Sequence, residues 1–373
     1  MKQHRLLLLA PILLAAILAI ALPALTFASG SSYIGQFRTI SAIASTVPSN
    51  GDVNPYGVAV VPRTIGNLTQ GDVLVSNFNA SSNLQGTGTT IVQISPHGTR
   101  SLFAQIDPSM LPGSCPGGVG LTTALAVLQR GWVIVGSLPT TDGTSKTAKA
   151  GCLIVLNSTG HAVETFSGSL INGPWDMAAL DQDAAAALFV TNVLNGTVDG
   201  NGKVVNKGTV IRIVLKVPDQ GNGLPSRVST TVIGSGFSER TDPASLVIGP
   251  TGVALGSNGT LYVADSLNNR IAAIPHALDR SGTAHSGNDV TSNGFLNDPL
   301  GLTIAPNGDI LTVNGNDGRI VETTPGGTQI ARKFLDTSGS PPGAGTLFGL
   351  AIVPGGMGVY FVDDGTNTLN ILN

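Results

Sequence analysis

Charged side chains are scarce in this chain: Asp, Glu, Lys and Arg together supply 11% of its residues, against about a quarter in an average soluble domain. The net charge is -3 and no cluster of Lys or Arg occurs, which argues against a nucleic acid or an anionic membrane surface as partner. Aromatic residues amount to only 5%. There are two cysteines, Cys115 and Cys152, too few for a disulfide-dense scaffold or a thiolate zinc site. Also missing are a Gly-x-Ser-x-Gly elbow, a phosphate-cradling glycine loop and any paired-cysteine metal spacing, so the common nucleophile, nucleotide and zinc signatures are excluded.

What is present is turn-forming sequence, with 49 Gly and 22 Pro. The N-terminus carries Lys2 and Arg5, then an apolar run from Leu6 to Leu25, then Thr26, Phe27 and Ala28. This order predicts a signal peptide over residues 1–28, removed after Ala28. The run is also near the ~20 residues that span a bilayer, so an uncleaved anchor is the alternative. Pro11 and Pro23 interrupt a continuous helix and favour cleavage. Residues 29–373 are then expected to be a single soluble monomeric domain, secreted or periplasmic, with no membrane contact beyond the N-terminal segment. In that oxidising setting Cys115 and Cys152 are expected to pair; two buried free thiols are the alternative.

The chain repeats. The clearest unit runs from Gly249 to Ile274: Pro250-Thr-Gly252 leads into a short apolar run, Asn258-Gly259 makes a turn, a second run ends at Asp265, and Asn269-Arg270 opens a third. The same order returns without a gap from Pro299-Leu-Gly301 through Asn307-Gly308 and Asn314 to Gly318-Arg319. These two units resemble the NHL repeat. Weaker copies begin at Pro55, Thr122, Pro174 and Leu347, so equivalent entry residues fall at 57, 124, 176, 252, 301 and 349. Six units of short strands separated by turns predict an all-β, six-bladed β-propeller. The last unit stops after its third strand, which would leave an open sheet edge. The otherwise unemployed segment from Tyr33 to Ser45 is expected to supply the missing outer strand and close the ring.

In such a blade the entry, the end of the second strand and the loop that follows it share one face. The first three of these loops are long, Asn79 to Thr90, Pro139 to Gly151 and Leu194 to Gly208, and long loops on a rigid scaffold are where recognition usually resides. The middle entry residues are Tyr56, Thr123, Trp175, Thr251, Leu300 and Phe348. Tyr56, Trp175, Leu300 and Phe348 are expected to floor a binding face for a small molecule, a glycan or a protein. A second ring comes from the residues ending the second strands: Asn77, Ser137, Asn192, Asp265, Asn314 and Asp363. Such side chains commonly shape the following turn; the functional alternative is a ring of oxygen ligands for Ca²⁺ or another divalent metal, drawn from Asp265, Asn192, Asn314 and Asp363.

The resemblance extends distantly to gluconolactonase-like propellers, metal-dependent hydrolases, which would imply a Glu at the first entry, an Asn at a later one and an Asp ending a second strand. Only Asp265 matches. Histidines, on which lyase propellers rely, fall at 97, 161, 276 and 285 beyond the N-terminal segment, in turns and linkers rather than at inner positions. Asp176 is the one entry residue that is neither Gly nor Ala; a carboxyl there is expected to face the channel, as a functional acid or as part of a hydrogen-bonded turn. The balance favours a binding propeller without catalysis or a resident cofactor over a divergent metal-dependent lactonase.

Overall fold

A computed structural model describes residues 31–373; the expected signal segment, residues 1–28, and its cleavage point lie outside them. Six antiparallel sheets stand around an axis as the blades of a propeller. Their inner strands are Val53–Val60, Leu121–Val127, Pro174–Asp181, Pro250–Leu255, Pro299–Ile304 and Leu347–Ile352. Second strands are buried along their whole length in five blades, as in Val73–Asn79 and Leu261–Asp265, because each is covered by neighbouring blades on both faces.

Closure is as expected. Ile40–Ser45 pairs antiparallel with Thr368–Leu372, the third strand of the last blade. The residues before it are seated as well. Tyr33, Ile34 and Phe37 enter the core between the last two blades, and the Tyr33 hydroxyl donates to the Gly358 carbonyl at 2.9 Å. The backbone N–H groups of Tyr33 and Ile34 donate to the buried Glu322 carboxylate at 2.6 and 2.9 Å. One buried carboxylate accepting from two successive N–H groups makes Glu322 the anchor of the closing segment.

Inner strands meet at backbone distance. A Cβ added at Gly301 would lie 1.9 Å from the Phe348 carbonyl oxygen, and one at Gly349 2.2 Å from that of Tyr56. Gly57 and Gly252 are confined in the same way, so the entry glycines are required by close approach. One residue outward, hydroxyls stitch blade to blade. Ser76 donates to the Thr122 carbonyl at 2.8 Å, Thr191 to that of Thr251 at 2.7 Å, and Ser266 to that of Pro299 at 2.7 Å.

Cys115 and Cys152 form a disulfide across a separation of 37 residues. Its loop carries the Pro139 to Gly151 insertion, and closing it contributes roughly 3 to 4 kcal/mol in the chain-entropy model. Replacing both cysteines by serine is expected to lower unfolding free energy by about that amount, measured by denaturant titration. Glu322→Gln should lower it by a further ~1 to 3 kcal/mol, from the weakened charged hydrogen bonds.

Candidate functional site

The blades of the first half carry the long loops. Asn79 to Thr90, the segment after Ser137 and the segment after Asn192 all rise on the face where the inner strands begin. The second of these is shaped by Asp142, whose Oδ1 accepts from the Thr144 N–H at 2.8 Å and from the Thr144 hydroxyl at 2.8 Å. A further feature of this face has no counterpart in the repeat pattern. The outer strand of the third blade, Ser226–Asp242, overruns its sheet and turns back as Leu246–Ile248. Asp242 holds the turn by accepting from the Ala244 and Ser245 N–H groups at 2.9 and 3.2 Å. Gln85, from the first long loop, ties it down by donating to the Pro243 carbonyl at 2.8 Å.

That hairpin lies over the predicted floor. Tyr56, Trp175, Leu300 and Phe348 come together in one buried cluster with Leu246, Val247 and Ile248 of the hairpin. Tyr56 stacks on Phe348 with ring centroids 3.9 Å apart and on Phe78 at 4.5 Å; Trp175 lies 6.4 Å from Tyr56. The aromatic residues are thus gathered as the sequence suggested, but they contact one another and the hairpin. They form a plug at the channel mouth. Burial lifts the Tyr56 hydroxyl well above its ordinary pKa, and the charge of Asp364 adds to this.

The ring at the second-strand ends is held in turns. Asp265 accepts from Arg270 Nε at 2.6 Å and from Asn268 Nδ2 at 3.0 Å with each oxygen. Asn314 donates to the Phe295 carbonyl at 2.8 Å and accepts from the Asn297 N–H at 3.1 Å. Asn77 Nδ2 donates to the Thr46 carbonyl at 3.0 Å, Ser137 to that of Gly118 at 2.9 Å, and Asp363 accepts from the Thr366 N–H at 3.1 Å. Asn192 differs: it is buried and neither atom of its amide has a hydrogen-bond partner. Of the expected oxygen ring, Asp265, Asn314 and Asp363 are each engaged in hydrogen bonds and Asn192 is not, and no three His, Cys, Asp or Glu side chains converge among the described residues.

Between the second long loop and the hairpin runs a cleft of about 290 Å³, lined among others by Gln85, Thr144, Ser145, Thr241 and Asp242. It adjoins a smaller hollow of about 160 Å³ that shares Ser145 and Thr241 and adds Lys146 and Asn201. Hydroxyls and amides with one carboxylate and one ammonium share the lining with Pro243, Leu246 and Val198, a mixture suited to a ligand that offers hydrogen-bonding groups on an apolar face, as a sugar ring does. Sequence reasoning placed the walls of this cleft but missed the hairpin. The apolar Leu246-Val-Ile248 run just before the fourth entry, after an Asp242-Pro243 turn signal, was the available clue.

Several carboxyls lie buried nearby. Glu239 is pushed up to about 8, Asp364 to about 7 and Asp298 to about 6, each by desolvation first; Asp364 also feels the charge of Asp363. Asn195 joins two of the buried groups, its N–H donating to Glu239 at 3.0 Å and its Nδ2 to the Asn192 carbonyl at 3.3 Å. One oxygen of Glu239 has no partner.

The NHL repeat model matches residues 248–274, which hold the first three strands of the fourth blade. No curated protein matches the sequence. Solved structures match over nearly the whole chain. A gluconolactonase from Xanthomonas campestris is 14% identical with a TM-score of 0.54, covering 89% of this chain and 88% of that one. A calcium-binding protein, regucalcin, from Agrobacterium tumefaciens is 12% identical with a TM-score of 0.53, over 90% and 94%. The PQQ-bound aldose sugar dehydrogenase from Streptomyces coelicolor is 16% identical with a TM-score of 0.52, over 89% and 97%. At such identities the likeness establishes the fold and leaves function to the site.

A raised carboxyl pKa means that the folded state binds its proton more tightly than the unfolded chain does. Between the unfolded value near ~4 and the folded values, the native state therefore takes up protons, and stability falls as pH rises from about 4 to about 8. Denaturant midpoints are expected to be higher at pH 5.5 than at pH 8, and Glu239→Gln should shrink that difference.

Proposed function

We propose that this chain is an exported, non-catalytic binding propeller that recognises a neutral, hydroxyl-rich ligand, a glycan, in the cleft between the Pro139 to Gly151 loop and the Arg240–Ile248 hairpin. The observation that carries the reading is that this cleft is built. A disulfide holds one wall, Asp142 shapes it, and Gln85 fastens the other. Walls fixed before binding lose little entropy on taking a ligand. The disulfide also supports export, since such bonds persist in oxidising compartments, and no helix among the described residues is long and apolar enough to cross a membrane. The aromatic plug serves here as the rigid support beneath the hairpin.

A second reading, a metal-dependent lactonase, is favoured by one specific observation: Asn192 and Glu239 are fully buried, joined through Asn195, and carry unpartnered atoms. Buried polar atoms in that condition are usually matched by something. On this reading Glu239 and Asn192 replace Asp265 as the pair of interest.

Glycan-array binding followed by calorimetry separates the two. In the first reading Ser145→Trp, which fills the cleft, weakens glycan binding at least tenfold, and chelation leaves it unchanged. In the second, purified protein retains stoichiometric Ca²⁺ and hydrolyses gluconolactone, and both properties disappear in Glu239→Gln. Retained glycan affinity in Ser145→Trp would sink the first.

A further inference from the structure

Behind the plug lies a second cavity with different chemistry. Past the entry residues, the inner strands enclose a channel of about 360 Å³. One end is sealed by Tyr56, Trp175, Leu300 and Phe348, all buried. The other end opens on the face opposite the long loops: along the third blade, Asp176 and Met177 are buried, Ala178 is half-buried and Ala179 is exposed. Aliphatic side chains, Val58, Leu125, Met177, Leu302 and Leu350 among them, share its walls with polar groups.

Two polar side chains stand in this wall near the sealed end. Thr123 is 5% exposed, and its hydroxyl has no hydrogen-bond partner. Asp176 is 8% exposed and is, among the described residues, the only ionisable side chain lining the channel. It occupies the entry position that holds a close-contact glycine in four other blades, and it spans to the next blade instead. Oδ1 accepts from the Met177 N–H at 2.8 Å, and Oδ2 accepts from the Val253 N–H at 3.1 Å. Each oxygen keeps acceptor capacity, and no Lys, Arg or His lines the cavity to balance the charge.

We propose that this channel is a binding site for a small organic cation, a primary ammonium on a compact apolar body, with the ammonium at Asp176 and Thr123 and the body against the aliphatic wall. A buried carboxylate without a counter-charge is costly, and an ammonium supplies the missing charge together with three donors. A neutral ligand supplies only a donor, and an anion is repelled. The volume lies at the lower end of ordinary ligand pockets, ~300 to 1,000 Å³. The site is independent of the loop-face cleft, from which the aromatic plug divides it.

Desolvation holds the Asp176 carboxyl up to about 7, against the opposing effect of the Met177 and Val253 N–H groups. The ammonium binds the ionised form, so affinity should fall as pH drops through that value. No other titratable side chain on the six inner strands lines the channel to mask this dependence.

Calorimetric titration of the full chain with cyclohexylammonium at pH 8, beside cyclohexanol as neutral isostere, tests the proposal. Saturable one-to-one binding of the amine is expected, at least tenfold tighter than the alcohol and at least tenfold weaker at pH 5.5. Asp176→Asn should abolish the preference for the amine. Ala179→Trp, at the open mouth and away from Asp176, should block entry even if Asp176→Asn fails to fold. Equal affinity for amine and alcohol, amine binding unaffected by Ala179→Trp, or no binding of the amine at all would each overturn the assignment.

Discussion

The structure rests on the approach of six inner strands to backbone contact around one axis. At Gly252, Gly301 and Gly349 there is no room for a Cβ beside the next blade's carbonyl, so the ring closes only if these positions stay bare. Everything outward follows. The second strands are sealed on both faces, hydroxyls bridge blade to blade, and the outer edge of the last blade must be completed by the chain's own beginning. A ring of this kind has no free sheet edge in its interior and converts a short repeat into a rigid platform.

The ring departs from bare glycine at two entries, Ala124 and Asp176, both in the half that bears the long loops. At the second, a carboxylate accepts from the Val253 N–H of the next blade. The platform is therefore asymmetric at its centre as well as at its rim. Its two faces offer different environments: a hydroxyl-lined cleft under a fastened hairpin on one side, an aliphatic channel with a single carboxyl on the other. The stack of Tyr56, Phe348 and Phe78 separates them, contributing roughly 0.5 to 1.5 kcal/mol per aromatic pair beyond simple burial.

The buried carboxyls share one physical origin. In a chain with so few charges, the cations near the enclosed carboxyls, Lys207 for Glu239 and Arg240 for Asp298, offset desolvation only in part. Asp265 shows the contrast. Arg270 sits against it, and yet burial still dominates the direction of its shift. Of the six polar side chains at the second-strand ends, five are engaged by nearby turns and neighbouring segments, and Asn192 alone keeps an amide without a partner.

Repeat spacing, entry glycines and the unemployed segment before the first unit were enough to predict blade number, closure and the location of the long loops, because each depends on local periodicity and on strand edges that must be paired. The cysteine pairing was readable for another reason: two cysteines in a chain read as exported have only each other as partners. The sequence alone also identified Tyr56, Trp175 and Phe348 as neighbours at the channel mouth. Only the tertiary structure decided that they are covered. The cover comes from an outer strand that runs past its sheet, and nothing in a two-residue alternation says where such a strand stops or which way it folds. Likewise the sequence marked Asp176 as exceptional. That it bridges two blades at the sealed end of an open channel follows from the spacing of strands around the axis, a quantity that no single repeat contains.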